Sequence, residues 1–136
     1  MRIFGLDHVT IECPDGGQEK ARLFYGQALG LREVPVPQNP HRPSIGFQCG
    51  DQEIHLGFVD PTTFVAQERG HPALVVDHLS AWLRELAQIK VAIEEAIPDP
   101  RCHNRCYIRD PFGNRIELRE PDTMRETTMD QAALTV

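Results

Sequence analysis

Arg105-Cys-Tyr-Ile-Arg-Asp-Pro-Phe-Gly-Asn-Arg-Ile-Glu-Leu-Arg-Glu120 decides the fold. It reads as two short strands joined by a tight turn. Asp110 caps the turn through its side chain, Pro111 presets φ at the second position, and Gly113 takes the exit at positive φ. Beyond the turn the residues alternate, Ile116 and Leu118 facing one way and Arg115, Glu117 and Arg119 the other. An earlier stretch, Gly50-Asp-Gln-Glu-Ile-His-Leu-Gly-Phe58, copies this hairpin and carries His55 where the later one carries Glu117.

The copy extends further. His55 precedes Glu117 by 62 residues, and His8 in L-D-H-V-T-I precedes His71 in G-H-P-A-L-V-V by 63. The chain therefore reads as two versions of one unit of about sixty residues, each with two side chains able to ligate a metal. Strands are expected over 3–11, 31–36, 45–49, 53–59, 71–76 and 91–97 besides the opening hairpin. One helix is expected from Gln18 to Leu29, stopped by Gly30, and a second after an Asp77 cap, running to about Lys90. Each unit is then β-α-β-β-β, and the class is α+β. Alternation puts Val9 and Ile11, Ile54 and Leu56, Leu74 and Val76, and Ile116 and Leu118 on the helix side. His8, His55, His71 and Glu117 all fall on the opposite face. Imidazole and carboxylate donors together suit a borderline divalent ion such as zinc, nickel, cobalt, manganese or iron.

At 136 residues, 40% hydrophobic and 25% charged, the chain is expected to form a single domain over 1–136. Module one spans 3–59, module two 71–121, and 122–136 is a polar tail. A net charge of −6 without any Lys/Arg run speaks against nucleic acid or an anionic membrane as partner. Apolar runs fall short of the ~20 residues of a membrane span, and the N-terminal residues lack a signal-peptide core. A cytoplasmic location with reduced cysteines is expected. Cys102-x3-Cys106 with His103 between them has no second pair and reads as loop and strand start rather than as a metal clip.

Together, L-D-H-V-T-I, F-Y-x-x-A-L-G-L-R, I-H-L-G, G-H-P-A-L-V-V-D and D-P-F-G-N-R-I-E-L resemble the vicinal oxygen chelate superfamily over about residues 3–121. That group includes glyoxalase I, methylmalonyl-CoA epimerase, fosfomycin-resistance enzymes, extradiol dioxygenases and bleomycin-binding proteins. The resemblance implies two βαβββ modules curling into a half-barrel cleft, with the helices on the outer face. It implies metal ligands at His8, His55, His71 and Glu117, and a homodimer that binds a small molecule. The activity it implies is that of a glyoxalase-like lyase or isomerase, chelating two vicinal oxygens and stabilising an enolate, with Glu117 moving a proton. An extradiol-type dioxygenase and a metal-free drug-binding resistance protein are the alternatives. Glyoxalase I has Glu at the position of His55, and its glutathione-binding Arg and Asn correspond to Glu12 and Val59 here, so glutathione is not implied. Tyr107 matches an inward-facing tyrosine of the fosfomycin enzymes, which implies either a substrate contact or a structural role. Tyr107, Arg105 and Arg115 are the residues expected at the substrate, the arginines either as anion recognition or as solvated rim.

Overall fold

The computed structural model describes residues 1–95 and 104–121. Among the described residues eight strands form two four-stranded mixed sheets of identical topology, which is the α+β duplication expected. In sheet order the first is β1 (His8–Pro14), β4 (Gln52–Val59), β3 (Ser44–Cys49) and β2 (Arg32–Val34). The second is β5 (Ala73–Val75), β8 (Arg115–Arg119), β7 (Arg105–Arg109) and β6 (Ile93–Glu95). Each sheet is open. In both, the first strand runs parallel to the last while the other pairs are antiparallel. The described residues divide into two compact units, 1–68 with 110–114, and 69–95 with 104–109 and 115–121.

The first unit builds its core from the inward half of each alternation. Ile11 and Cys13 on β1, Ile54, Leu56 and Phe58 on β4, and Ile45 and Phe47 on β3 are all buried. Register puts Ile11 beside Leu56 and Phe47 beside Ile54, so they share a face. A single turn of α-helix, α1 (Gln18–Ala21), continues as a π-helix over Arg22–Ala28 and adds Ala21, Phe24 and Tyr25 to that core. The sequence pattern suggested uninterrupted α-helix. The wider π turn brings the successive rings of Phe24 and Tyr25 inward together, and the Tyr25 ring stacks on Phe47 with centroids 6.0 Å apart. Gly30, at φ 70°, ends the element as expected.

The turn Asp110–Asn114 groups with this unit, and it is tied down densely. Asp110 Oδ1 accepts from the backbone N–H of Phe112 and of Asn114, both at 2.9 Å. The Tyr25 hydroxyl donates to Asp110 Oδ2 at 2.7 Å, and Asn114 Nδ2 donates both to Asp110 Oδ2 and to the Glu12 carbonyl. Asn114 Oδ1 accepts from the Gln67 N–H at 2.9 Å. Tyr25, Asp110 and Asn114 are buried, and their side-chain polar groups are satisfied, which is the condition for placing a carboxylate inside a protein. Gly113 sits at φ 91°, as the turn chemistry requires.

The second unit repeats the scheme. Leu74, Cys106, Ile108, Ile116 and Leu118 line one face of the sheet through matching register, and Leu79 and Leu86 of α2 (Leu79–Gln88) are buried with them.

Several expected boundaries move. β1 begins at His8, and residues 1–7 lie outside any strand with Ile3, Phe4 and Leu6 exposed. His71 precedes β5 instead of lying in it, held by Pro72, which cannot donate to a ladder. β2 stops at Val34, where Pro35 intervenes. Asp77 does not cap α2: the N-cap is His78 at φ 46°, with no side-chain cap. Glu120 supplies the missing acceptor, its Oε1 receiving the Leu79 N–H at 2.9 Å, while Asp77 Oδ1 accepts from Trp82 Nε1 at 3.3 Å. The helix ends at Gln88. Lys90 adopts φ 62° and its N–H bonds the Ala87 carbonyl, while the Val91 N–H reaches back to Leu86. This is a Schellman ending with lysine in the position glycine usually holds. The Cys102/His103 stretch, residues 96–97 of the expected sixth strand and the tail 122–136 lie outside the described residues.

Candidate functional site

The ligand candidates of the first unit lie on the face turned away from its helix. β1 and β4 run parallel with His8 opposite Glu53 and Thr10 opposite His55. The two histidine side chains therefore project from neighbouring strands on one face, and their rings stack 4.1 Å apart at 15°. His8 Nδ1 is 2.8 Å from Asp7 Oδ2, and His55 Nε2 contacts Glu53 Oε2 at 2.6 Å. A carboxylate can only accept, so each ring carries its proton on that nitrogen. His8 Nε2 and His55 Nδ1 are left with lone pairs. Space for the His55 ring comes from Gly46, its cross-strand neighbour: a Cβ there would meet Val36 Cγ1 at 2.4 Å and His55 Cδ2 at 3.4 Å.

The second unit holds the other two. Glu117 is anchored through its N–H to the Pro72 carbonyl, which draws the segment before β5 alongside β8. His71 Nδ1 lies 2.7 Å from the Arg69 carbonyl and His71 Nε2 lies 3.1 Å from Glu117 Oε2. The carbonyl fixes one proton on Nδ1, so Nε2 is the ring nitrogen turned toward a carboxylate oxygen. Only a proton or a metal ion between them makes that contact favourable. The Glu117 side chain is 5% exposed, and its other oxygen, Oε1, is buried without a hydrogen bond. Arg119 and Arg105 approach Oε1 at 3.6 and 3.8 Å, close enough for charge attraction and too far to donate.

Tyr107 lies directly across from Glu117 on β7. Its ring meets His71 edge-on at 5.1 Å and carries the Arg115 guanidinium 3.5 Å above its centre, with Arg105 at 5.8 Å. All the residues expected at the substrate thus share the open face of the second sheet. Sequence reading passed over Arg119, although strict alternation already put it on the face of Glu117. It also passed over Asp7 and Glu53, which orient the first two imidazoles; no spacing rule marks such supports.

Each unit, then, assembles one pair of the four predicted ligands. Among the described residues no three His, Cys, Asp or Glu side chains gather to hold an ion. By chemistry the donors nevertheless fit a divalent cation: three imidazoles each anchored through one nitrogen, and a carboxylate with an orphaned buried oxygen.

A sequence model of the glyoxalase/bleomycin resistance protein/dioxygenase superfamily matches residues 5–118. The chain belongs to that superfamily. A glyoxalase-family protein of Bacillus anthracis is 38% identical, with 88% of this chain and 97% of that one aligned at a TM-score of 0.79. TnmS3, an antibiotic binding protein from Streptomyces sp. CB03234, is 26% identical over 89% of this chain and 98% of its own, with a TM-score of 0.70. Lactoylglutathione lyase from Agrobacterium tumefaciens, at 22% identity, a TM-score of 0.68 and coverage of 90% and 97%, shares the superfamily fold. No curated protein sequence matches the chain. As a superfamily member it has the duplicated sheet, and no helix among its described residues is long and apolar enough to cross a membrane.

Proposed function

We propose that this glyoxalase-superfamily protein is a metal-dependent lyase or isomerase acting on a small molecule. His8 and His55 of the first unit and His71 and Glu117 of the second would be its metal ligands. The observation that carries the reading is the His71–Glu117 pair, a ring nitrogen 3.1 Å from a buried carboxylate whose second oxygen has no hydrogen bond. Leaving such an oxygen bare costs about 1–3 kcal/mol, which a cation would offset. A bound divalent ion would supply Lewis acidity toward two neighbouring substrate oxygens. The chain's own part is to orient and to move a proton. Asp7, Glu53 and the Arg69 carbonyl hold the imidazoles in one tautomer. Glu117 is the one carboxylate among the four and the base of this proposal, taking a proton from the carbon beside the chelated oxygens. Tyr107 and its arginines hold the substrate.

We also propose that the working species is a cytoplasmic homodimer. The exposed apolar residues Ile3, Phe4 and Leu6 ahead of β1, and Val75 on β5, at the edges of the two sheets, support it. Sedimentation of a monomer at micromolar concentration would remove this part.

The test is metal uptake by chelator-stripped protein offered zinc, nickel, cobalt, manganese and iron(II) in turn. Stoichiometric uptake in the natural protein and none in a His8→Ala/Glu117→Ala double variant is the expected result. Uptake unchanged in that variant puts the ion elsewhere, and no uptake of any of the five ends the reading. Glu117→Gln keeps an oxygen donor while removing the base, so it should retain metal and lose turnover. A second reading, ligand sequestration without chemistry, draws support from the 26% identity to an antibiotic binding protein. It predicts ligand binding that survives in the double variant.

A further inference from the structure

The two imidazoles of the first unit are held in unlike ways. A ring nitrogen's lone pair lies in the plane of its ring, and a metal–nitrogen bond is about 2.0–2.1 Å long. The His8 and His55 rings lie face to face, 4.1 Å apart at their centroids and 15° from parallel. Planes so arranged do not meet within the reach of such a bond, so the rings cannot grip one ion while they are stacked. One of them has to turn. His55 is the fixed ring: its side chain is 17% exposed, and its Nε2 lies 2.6 Å from Oε2 of Glu53, itself 34% exposed. Its Cδ2 also lies 3.4 Å from where a Cβ on Gly46 would stand. His8 is the loose one. Its side chain is 41% exposed, and its hydrogen bond goes to its chain neighbour Asp7, 95% exposed. A contact so open to solvent constrains little. β1 is also the outer strand of its sheet, and residues 1–7 ahead of it lie outside any strand.

We propose that the stack is the resting arrangement of the metal-free protein, that His8 turns out of it on metal uptake, and that Glu53 is the positioning residue that keeps His55 in place. The inference rests on the reading of His8 and His55 as ligands. His55 then offers Nδ1, because Glu53 occupies Nε2. The change asked of His8 is a side-chain rotation, which needs no break in the pairing of β1 with β4. Such a rotation is fast in an exposed residue, so the stack does not obstruct uptake. Its effect is on the equilibrium: a contact present only in the metal-free state favours that state. The two ligands also differ in what binding does to them. A ring already locked by Glu53 and by the wall at Gly46 loses little freedom on ligating, whereas a turning one loses more. Glu53 therefore contributes to metal affinity directly, while the exposed Asp7 side chain merely follows its ring.

The test follows ring-proton NOEs by NMR in chelator-treated full-length protein, at a single pH, before and after addition of zinc, with uptake measured on the same sample. Before zinc, NOEs are expected between the His8 and His55 rings and from His55 Hδ2 to Gly46 Hα. With zinc bound, the first should vanish and the second persist. A ring-to-ring NOE that survives in the loaded protein, or is missing from the metal-free one, overturns the proposal. Loss of the His55–Gly46 NOE on loading makes His55 the ring that turns and overturns it too. Glu53→Ala should weaken zinc binding by about tenfold or more, and Glu53→Gln, which keeps an acceptor for Nε2, should restore most of it. Asp7→Ala should cost less than about threefold, its contact being open to solvent. Equal losses in the two alanine variants remove the positioning role of Glu53. The NOE comparison uses the natural protein, so it stands whether or not the variants fold. Zinc taken up with the rings still stacked removes this inference alone, whereas no uptake removes the metal reading and this inference with it.

Discussion

The hydroxyl of Tyr25 donates a 2.7 Å hydrogen bond to the carboxylate of Asp110, 85 residues further along the chain. Tyr25 is fully buried, and Asp110 is 5% exposed. Asp110 needs this donor, since its four acceptor interactions are what make an ionised group tolerable at that depth. Removing the hydroxyl by Tyr25→Phe keeps the ring against Phe47 and deletes one bond to a charge. A loss of about 1.5–3 kcal/mol in urea unfolding is expected, with metal uptake unaffected. A loss below about 0.5 kcal/mol means the turn holds without it.

The same contact sets an alkaline limit. Burial first, then the neighbouring Asp110 charge and the hydrogen bond to it, push the Tyr25 phenol far above its ordinary range. Burial and then Asp110 push the Cys13 thiol up to about 12. A raised folded pKa favours the protonated form in the folded state. Its contribution is whole below the unfolded values, ~8.5 for Cys and ~10 for Tyr, and shrinks as pH rises beyond them. Melting temperature should therefore decline from about pH 9 upward, and Tyr25→Phe with Cys13→Ala should flatten the decline. An equal slope in the double variant would assign it to other groups.

Gly46 should tolerate no side chain. A Cβ would lie 2.4 Å from Val36 Cγ1, and a β-branched side chain has little rotamer freedom with which to retreat. Gly46→Ala is expected to cost about 1–3 kcal/mol and to shift the His55 ring resonances, both measurable in one NMR-monitored melt. Unchanged stability would mean that residues 34–36 move aside freely.

Lys90 is the opposite case. It holds φ 62°, where a side chain is strained, and its exposed position leaves room for change. Lys90→Gly should stabilise the protein by about 0.5–1 kcal/mol in thermal unfolding, because the strain relieved exceeds the added freedom of the unfolded chain. Destabilisation would show that the lysine stem contributes packing that outweighs the strain.

The sequence by itself determined the duplication, the strand alternation and the residues on each open face. His8, His55 and Glu117 could be picked out because side chains alternate along a strand, and His71 because it stands 63 residues after His8 in the repeat, although it precedes β5. The D-P-F-G-N turn was legible for a similar reason: its geometry is a local matter of φ and of one Asp side chain. What the turn holds on to was not legible, since Tyr25, Glu12 and Gln67 meet it across 47 to 102 residues. The cap of α2 went the same way. Asp77 stood in the right place in sequence, but the Leu79 N–H found Glu120, 41 residues on, because sheet register brings the end of β8 to the helix start. The π turn, the Gly46 clearance under His55 and the Arg115–Tyr107 stack are likewise decided by packing between strands. Periodicity records which way a side chain points, and only the folded chain decides what stands opposite it.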